Sequence, residues 1–170
     1  LSNVVTLALL SIAGWPLTAV IPTVLVLGMA VGLVNGYLIG YLRLRAFLTT
    51  LVTLIVLRSI VDLLILNYSV AIAGSFVDSD AWYFIGEGHV FGMPISFVLM
   101  AVVAIILHVV LTRLSIGWRI LAVGGSRRSA HNMGLSVPRI ICLTYVISST
   151  LAALAGVLIA AHLSGAGAET

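Results

Sequence analysis

Long apolar stretches separated by short polar ones run through the whole chain. Four of them, at 17–42, 46–67, 94–112 and 140–163, each hold about 19–26 mostly apolar residues. At a rise of about 1.5 Å per residue, each is long enough to cross the ~30 Å hydrocarbon core of a bilayer as a helix. The pattern therefore predicts an all-α, polytopic membrane protein.

A fifth apolar stretch, residues 1–13, reaches only about 20 Å as a helix and is too short to cross. It lacks the basic flank and the small-residue cleavage site of a signal peptide. We interpret it as the second half of a spanning helix, which gives about five transmembrane segments, the first one truncated. The final residues, SGAGAET, have the composition of a loop. We therefore expect the chain to be part of a longer membrane protein.

The composition excludes an ordinary soluble domain. Hydrophobic residues make up 62% of the chain, charged residues 8%, and lysine does not occur. The mean hydropathy is +1.28. Because soluble domains carry about 25% charged residues, a water-facing surface cannot be built from this inventory. The lipid bilayer is the expected environment, and no nucleic-acid partner is expected.

The charges divide the connections between spans into two kinds. Seven of the eight arginines lie in connections 43–45 and 113–139, and neither connection contains an acidic residue. The connection at 68–93 contains three acids and no arginine. The positive-inside rule therefore places 43–45 and 113–139 in the cytoplasm and 68–93 on the periplasmic side. The arginines are Arg43, Arg45, Arg113, Arg119, Arg127, Arg128 and Arg139.

Small residues recur every fourth position in two of the spans. The first set is Gly28, Gly32, Gly36 and Gly40. The second set is Ser148, Ala152, Gly156 and Ala160. A four-residue spacing traces one stripe along a helix, and small residues in lipid allow two helix backbones to approach closely. We interpret both stripes as helix-packing surfaces.

Two charged side chains and one side-chain amide lie in the interior of the spans. Arg58 and Asp62 share one face of a helix, one turn apart, and either charge alone at mid-membrane costs about 2.5–3.5 kcal/mol. Arg58 is therefore expected to face the bundle interior or a water-filled path. The pair is either a structural ion pair or part of a translocation pathway. Asn35 likewise either bonds a neighbouring helix or lines such a pathway.

The connection 113–139 contains the signals of a short helix. Ser126 is a plausible N-cap for the following RRSAHNM, and Gly134 fits the C-cap. A short cytoplasmic helix between two spans has the form of a docking element for a partner protein. The alternative is that its arginines only fix the topology and contact anionic lipid.

The sequence holds no pattern typical of a metal site, a cofactor site or a catalytic centre. Cys142 is the single cysteine and is expected to pack as a small apolar residue. His108 and His162 lie near helix ends, where interfacial side chains are common. The glycine-rich GGSRRS at 124–129 lacks the GxxxxGK[ST] pattern of a P-loop. We therefore expect no cofactor and no enzymatic activity in this chain.

Four stretches carry a resemblance to a known family. They are GLVNGYLIGYLRLRAFLTTLVTLIVLRSIV, YFIGEGHVFGMPISFV, RLSIGWRILAVGGSRRSAHNMGLSVPRI and TYVISSTLAALAGVLIAAHLSG. Over about residues 25–167 the chain resembles the permeases of ribose-type (monosaccharide) ABC importers. The resemblance implies a bacterial inner-membrane subunit, roughly half of a complete permease, that forms the pathway for a ribose-like sugar. It also implies three partners: a second permease copy, a periplasmic sugar-binding protein and a cytoplasmic ABC ATPase that hydrolyses the ATP.

The same resemblance assigns a docking role to the connection 124–139. The positions it implicates are Ser126, Arg127, Arg128, Ala130, Gly134, Val137 and Arg139. Family members usually have an acidic residue and alanines before the glycine, whereas this chain has Arg127, Arg128 and Ser129 there. Arg58 matches an arginine often seen in the family.

Three alternatives to a sugar permease are open at the level of the sequence. One is a permease of the branched-chain amino acid type, which shares the general architecture. An intramembrane enzyme is a second, although few polar side chains are available to it, chiefly Asn35, Arg58 and Asp62. The third is a purely structural subunit, which would leave Arg58 and the basic connection without a role.

Overall fold

The structure, a computed structural model, describes residue 6 and residues 17–73, 88–90 and 93–166. Within these ranges it contains six helices and two very short strands. The helices are α1 (Leu17–Gly40), α2 (Ala46–Ala73), α3 (Ile95–Arg113), α4 (Ser115–Gly125), α5 (Arg127–Asn132) and α6 (Val137–Ala166). The strands β1 (His89–Val90) and β2 (Met93–Pro94) pair antiparallel, with His89 opposite Pro94. The predicted all-α architecture is confirmed, and the hairpin is a minor addition to it.

Four helices are long and apolar enough to cross a membrane, as predicted. These segments are Ala19–Gly40, Ala46–Leu66, Ile95–Arg113 and Val137–His162. Large apolar side chains on α2 and α3 are exposed, for example Leu66 and Ile105. Such surfaces suit lipid or further helices, and the chain is a multi-pass membrane protein. The predicted truncated span at 1–13 lies outside the described residues, except for Thr6, which is helical and buried.

Several helix boundaries differ from the predicted ones, most clearly the end of α2 and both ends of α6. Helix α2 continues to Ala73, six residues past its predicted end at Asn67. The intervening YSVAIA contains no glycine or proline, so nothing in it stops a helix. Helix α6 begins at Val137, three residues earlier than predicted. Pro138 is compatible with this start because a residue in the first turn needs no intrahelical N–H bond.

The connection 113–139 is mostly helical, whereas the sequence predicted a loop with one short helix. Helix α4 follows α3 after a single extended residue, Leu114, at φ −93° and ψ 144°. The chain turns back so sharply there that a β-carbon at Gly117 would overlap the Leu111 carbonyl oxygen. Only glycine fits this approach. The sequence reading missed α4 because it is short and interrupted by glycines.

Helices α1 and α6 pack antiparallel, with their backbones in close contact along the glycine stripe. A β-carbon at Gly28 would lie 2.6 Å from Ala153 Cβ, and one at Gly36 would lie 2.7 Å from Cys142 Cα. One at Gly40 would lie 2.7 Å from the Pro138 carbonyl oxygen. Contacts this short exclude any side chain, so the glycines set the distance between the two helices. The glycine stripe of α1 therefore lies in the contact with α6.

On α6 the packing face is displaced by one residue from the predicted stripe. Ser149 and Ala153 face the glycines, whereas Ser148 and Ala152 are exposed. Gly156 is half-buried, and Ala160 is fully buried as expected. The sequence could not separate the two registers, because Ser148–Ser149 and Ala152–Ala153 are pairs of residues of similar size.

Two apolar clusters hold the helices together. One lies between α1 and α6, around Val20, Val24 and Val157. The other, here called the terminal cluster, joins the end of α1 to α4, α5 and the start of α6. It consists of Ile39, Val123, Ala130, Val137, Ile140 and Ile141. The arginine-bearing connections 41–45 and 113–139 therefore lie at the same end of the bundle, here called the arginine-rich end.

The contact between α1 and α6 gives a first prediction. In Gly32→Val, the new side chain overlaps Ser149 Oγ, and its β-carbon lies 2.8 Å from the Tyr145 carbonyl oxygen. We expect this overpacking to lower the free energy of unfolding by about 1–3 kcal/mol, measured in mixed detergent micelles. Ala30→Val, on the exposed side of the same helix, is the matched control and should change it little. Equal effects of the two variants would contradict the packing.

Candidate functional site

Asn35 and Thr53 join α1 to α2 through a polar contact within the spans. Asn35 is only 8% exposed, and the Thr53 hydroxyl donates a hydrogen bond of 2.6 Å to its Oδ1 atom. The same hydroxyl also lies 3.0 Å from the carbonyl oxygen of Thr49. No residue in the described ranges accepts a hydrogen bond from the Asn35 amide nitrogen. The amide therefore keeps donor capacity for another group.

A groove between the two helices opens beside this contact. It has a volume of about 490 Å³. It is here called the polar groove. The residues that line it are Val31, Asn35, Thr50, Thr53, Leu54, Leu57, Arg58 and Val61. The structure thus brings together Asn35 and Arg58, which the sequence singled out separately. An amide, two hydroxyls and a guanidinium are set in an otherwise apolar wall.

Arg58 is exposed rather than buried in this chain, and it borders the polar groove. Asp62 is also exposed and does not line the groove. Across the described residues, the structure contains no ion pair between Arg58 and Asp62. The structural ion pair, one of the two predicted alternatives, is therefore absent from this arrangement. The expectation that Arg58 borders a path is consistent with the groove.

Thr50 and Thr53 were not singled out from the sequence. The signal for them was present, because the groove-lining positions of α2 are 50, 53, 54, 57, 58 and 61. That spacing traces one helical face. Starting from Arg58 and stepping back along its face leads to both threonines.

Short helix α5 is capped at both ends as the sequence predicted. At its start, Ser126 Oγ accepts a hydrogen bond of 3.3 Å from the Ser129 amide and one of 3.0 Å from the Ser129 hydroxyl. At its end, the Leu135 amide donates to the Ala130 carbonyl at 3.1 Å, and the Gly134 amide donates to the His131 carbonyl at 3.0 Å. This pair of bonds is a Schellman motif, and Gly134 has the positive φ, +79°, that the motif requires.

One side of α5 is fixed to the protein and the other is open. Ala130 is fully buried in the terminal cluster, against residues of α1, α4 and α6. Arg127, Arg128 and Met133 are exposed. The helix therefore presents an arginine-bearing surface that is mechanically attached to two spans.

Two residues predicted to contact a docked partner are instead internal. Ala130 is fully buried and Val137 is nearly so, and both belong to the terminal cluster. They can position α5 but cannot touch a protein bound outside it. Ser126 and Arg139 are exposed, like the two arginines of α5, and remain available for contact. The error came from taking a whole motif as a contact surface, although a helix packed against the protein buries one of its faces.

The cysteine and two of the histidines lie apart from the polar groove. Cys142 is half-buried beside Gly36, in the contact between α1 and α6. His108 and His162 are exposed. Within those ranges, no group of three or more His, Cys, Asp or Glu residues could hold a metal ion.

Comparison with protein-family models gives one match over nearly the whole chain. Residues 1–169 match the family described as branched-chain amino acid transport system / permease component. No solved structure is significantly similar to the chain.

Several curated proteins are similar to the chain over most of its length. The galactofuranose transporter permease protein YtfT of Escherichia coli K12 is 35% identical over 96% of the chain. The ribose import permease protein RbsC of Haemophilus influenzae is 32% identical over 89% of it. The D-allose transport system permease protein AlsC of Escherichia coli K12 is 31% identical over 98% of it. The chain spans about half the length of these relatives, at 47%, 46% and 49% respectively.

The bond between Asn35 and Thr53 gives a second prediction. Thr53→Val keeps the shape of the side chain but removes its donor, so Asn35 Oδ1 loses its partner. We expect the free energy of unfolding to fall by about 0.6–1 kcal/mol, with most of the loss absent when Asn35 is already replaced by leucine. Thr50→Val is the control, because its hydroxyl donates to the Ala46 carbonyl of its own helix. Additive effects of Thr53→Val and Asn35→Leu would show that the contact contributes nothing.

Proposed function

We propose a transport function for this chain, which belongs to the family of branched-chain amino acid transport system / permease components. Within that family, we propose that it is part of the membrane-spanning permease of an ABC importer for a monosaccharide. The observation that carries the proposal is the similarity, over nearly the whole chain, to permeases named for galactofuranose, ribose and allose. The cargo is therefore proposed to be a sugar of this kind.

The polar groove supports a path for a polyhydroxylated solute. The Asn35 amide, the Thr50 and Thr53 hydroxyls and the Arg58 guanidinium can all form hydrogen bonds with sugar hydroxyls. They are few and are separated by apolar side chains. A path needs binding that is strong enough for entry and weak enough for release. A sparse row of polar groups in an apolar wall meets that requirement.

The same groove argues against an amino acid as cargo. A zwitterion needs a cationic partner for its carboxylate and an acidic or carbonyl partner for its ammonium group. Arg58 offers the first, but no carboxylate lines the groove, and the Asn35 side-chain carbonyl already accepts the hydrogen bond from Thr53. A neutral sugar needs neither. The branched-chain amino acid permease therefore ranks second, although the family description mentions that cargo.

We propose that energy enters through α5. The sequence contains no P-loop, so ATP hydrolysis is assigned to a separate cytoplasmic ATPase. That partner would contact the exposed Arg127 and Arg128. Because Ala130 fixes α5 to the terminal cluster, a displacement of α5 would be passed to the ends of α1 and α6. A partner that binds one arrangement more tightly shifts the population toward it, which is how nucleotide state would control access to the path.

The remaining partners and the orientation follow from the family and the charges. We propose the bacterial inner membrane as the location, with the arginine-rich end in the cytoplasm by the positive-inside rule. A second permease copy, implied by the family resemblance, is proposed as a further partner. A periplasmic binding protein would deliver the sugar at the opposite end.

The role of Arg58 gives a third prediction. Arg58→Leu removes the guanidinium from the polar groove. We expect the uptake rate of the sugar that the proposed binding protein delivers to fall about tenfold or more, because hydrogen bonds to a charged group contribute about 1.5–3 kcal/mol. Uptake of the radiolabelled sugar is measured in cells expressing the complete transporter.

Ser59→Leu is the matched control for this experiment. Ser59 is exposed, lies outside the groove lining and bonds only to the Ile55 carbonyl of its own helix. It should leave uptake near the wild-type rate, and immunoblots of membranes should show equal amounts of all three proteins. If Arg58→Leu takes up the sugar at the wild-type rate, Arg58 does not contribute to the translocation pathway.

Gly134 gives a fourth prediction. Its φ of +79° disfavours a β-branched residue, while nothing lies within 4 Å of a β-carbon placed there. Gly134→Val should therefore distort the end of α5 without a steric clash elsewhere. We expect membrane insertion and basal ATP hydrolysis by the assembled transporter to persist. Stimulation of hydrolysis by the loaded binding protein should be lost.

Gly134→Asn is the control for conformation, because asparagine tolerates the left-handed region. It should retain most of the stimulated hydrolysis. If Gly134→Val is stimulated as strongly as the wild type, α5 is not the element that couples the two activities.

A further inference from the structure

Helix α4 begins where a membrane-spanning helix ends. The apolar span α3 runs from Ile95 to Arg113, and α4 starts at Ser115 after Leu114 alone. A single connecting residue cannot carry the chain away from the membrane boundary. Helix α4 therefore starts at the level of the lipid headgroups, at the arginine-rich end of the bundle.

The two sides of α4 both carry apolar residues, but they face different surroundings. Gly117 and Val123 are buried and Ile120 is half-buried, and they pack toward the protein. On the solvent-facing side, Trp118 and Leu121 lie one helical turn apart, and Leu114, the extended residue that precedes α4, lies four residues before Trp118. These three residues, here called the outer stripe, are 45%, 67% and 56% exposed. A stripe of this kind is unfavourable in water.

Cations flank the outer stripe. Arg113 ends α3 next to Leu114, and Arg119 follows Trp118; both are exposed. The whole segment from residue 95 to residue 139 contains no acidic residue. A surface with an inserted aromatic ring and uncompensated arginines is complementary to an apolar layer beneath an anionic one. The interface of a bilayer that contains anionic phospholipid has that arrangement.

We propose that α4 is an interfacial lipid-binding helix. The side chains of the outer stripe insert below the phosphates of the leaflet at the arginine-rich end. Arg113 and Arg119 bind phosphate oxygens of anionic phospholipids beside them. A protein surface covering the same stripe is the competing occupant. It is less favoured because α4 starts at headgroup depth and because tryptophan is typical of that depth.

This lipid contact would give α5 a fixed neighbour. Helix α4 meets α5 at Ser126, and Val123 shares the terminal cluster with Ala130. Anchoring of α4 by lipid would hold one side of that cluster in place while α5 moves. The proposal does not depend on which solute is transported, because it rests only on the position, exposure and charge of α4.

Fluorescence quenching by brominated phospholipids tests the proposal. In the intact protein, every tryptophan except Trp118 is replaced by phenylalanine, including Trp15 and Trp82. The fluorescence emission then reports Trp118 alone. This protein is reconstituted in phosphatidylcholine vesicles. Bromines near the headgroup end of the acyl chains should quench Trp118 more strongly than bromines at the bilayer centre. Brominated phosphatidylglycerol present as a minor component should quench more than the same amount of brominated phosphatidylcholine.

Variants separate the lipid site from general attraction of charge. Removing either Arg113 or Arg119 by substitution with glutamine should lower the relative affinity for brominated phosphatidylglycerol at Trp118 by about fivefold. Arg139→Gln removes the same charge from an exposed position at the start of α6 and should lower it much less.

Two results would overturn the proposal. If no brominated lipid quenches Trp118 in the intact protein, a protein surface covers the outer stripe. If Arg113→Gln, Arg119→Gln and Arg139→Gln lower the affinity equally, the arginines act only as a diffuse field and α4 holds no phospholipid.

Discussion

The architecture depends on one constraint, the close contact between the backbones of α1 and α6. In lipid, apolar side chains gain nothing by leaving a solvent that is equally apolar, so helices associate through van der Waals contact at short range. Four glycines on one helix allow that range, and no β-carbon fits between the helices at Gly28, Gly32, Gly36 or Gly40. Helices α2 and α3 lack such a stripe and leave most of their apolar surface uncovered.

Because α1 and α6 are closely packed, a displacement of α5 can act on both spans. A short helix on a flexible loop could move without consequence for the spans. Here Ala130 is buried among Ile39 at the end of α1 and Ile140 at the start of α6. Gly40 contacts Pro138 one step away, so the glycine contact reaches this same end. A force on α5 therefore acts on both spans together rather than on one of them.

How much the sequence could predict differs between the features of this molecule. The spans and the caps of α5 were predictable, because each depends on local composition or on one residue type at one position, such as Gly134. The face of α6 was not, because Ser148 and Ser149 are identical and only the partner helix distinguishes them. Helix α4 was missed because Gly117 reads as a helix breaker, whereas tertiary contact with Leu111 requires a glycine there.

The partner of Arg58 was another feature that the sequence alone did not predict, and it bears on function. Sequence reasoning paired Arg58 with Asp62 because they are one turn apart, and a lone charge in lipid is costly. The fold instead places Arg58 on the face shared with Thr50 and Thr53, across from Asn35 on another helix. A salt bridge with Asp62 would have neutralised the guanidinium charge and occupied its hydrogen-bond donors. Left unpaired with Asp62, the guanidinium keeps its donors for whatever enters the groove, and its cost in the membrane is tolerable only if that groove holds water or solute.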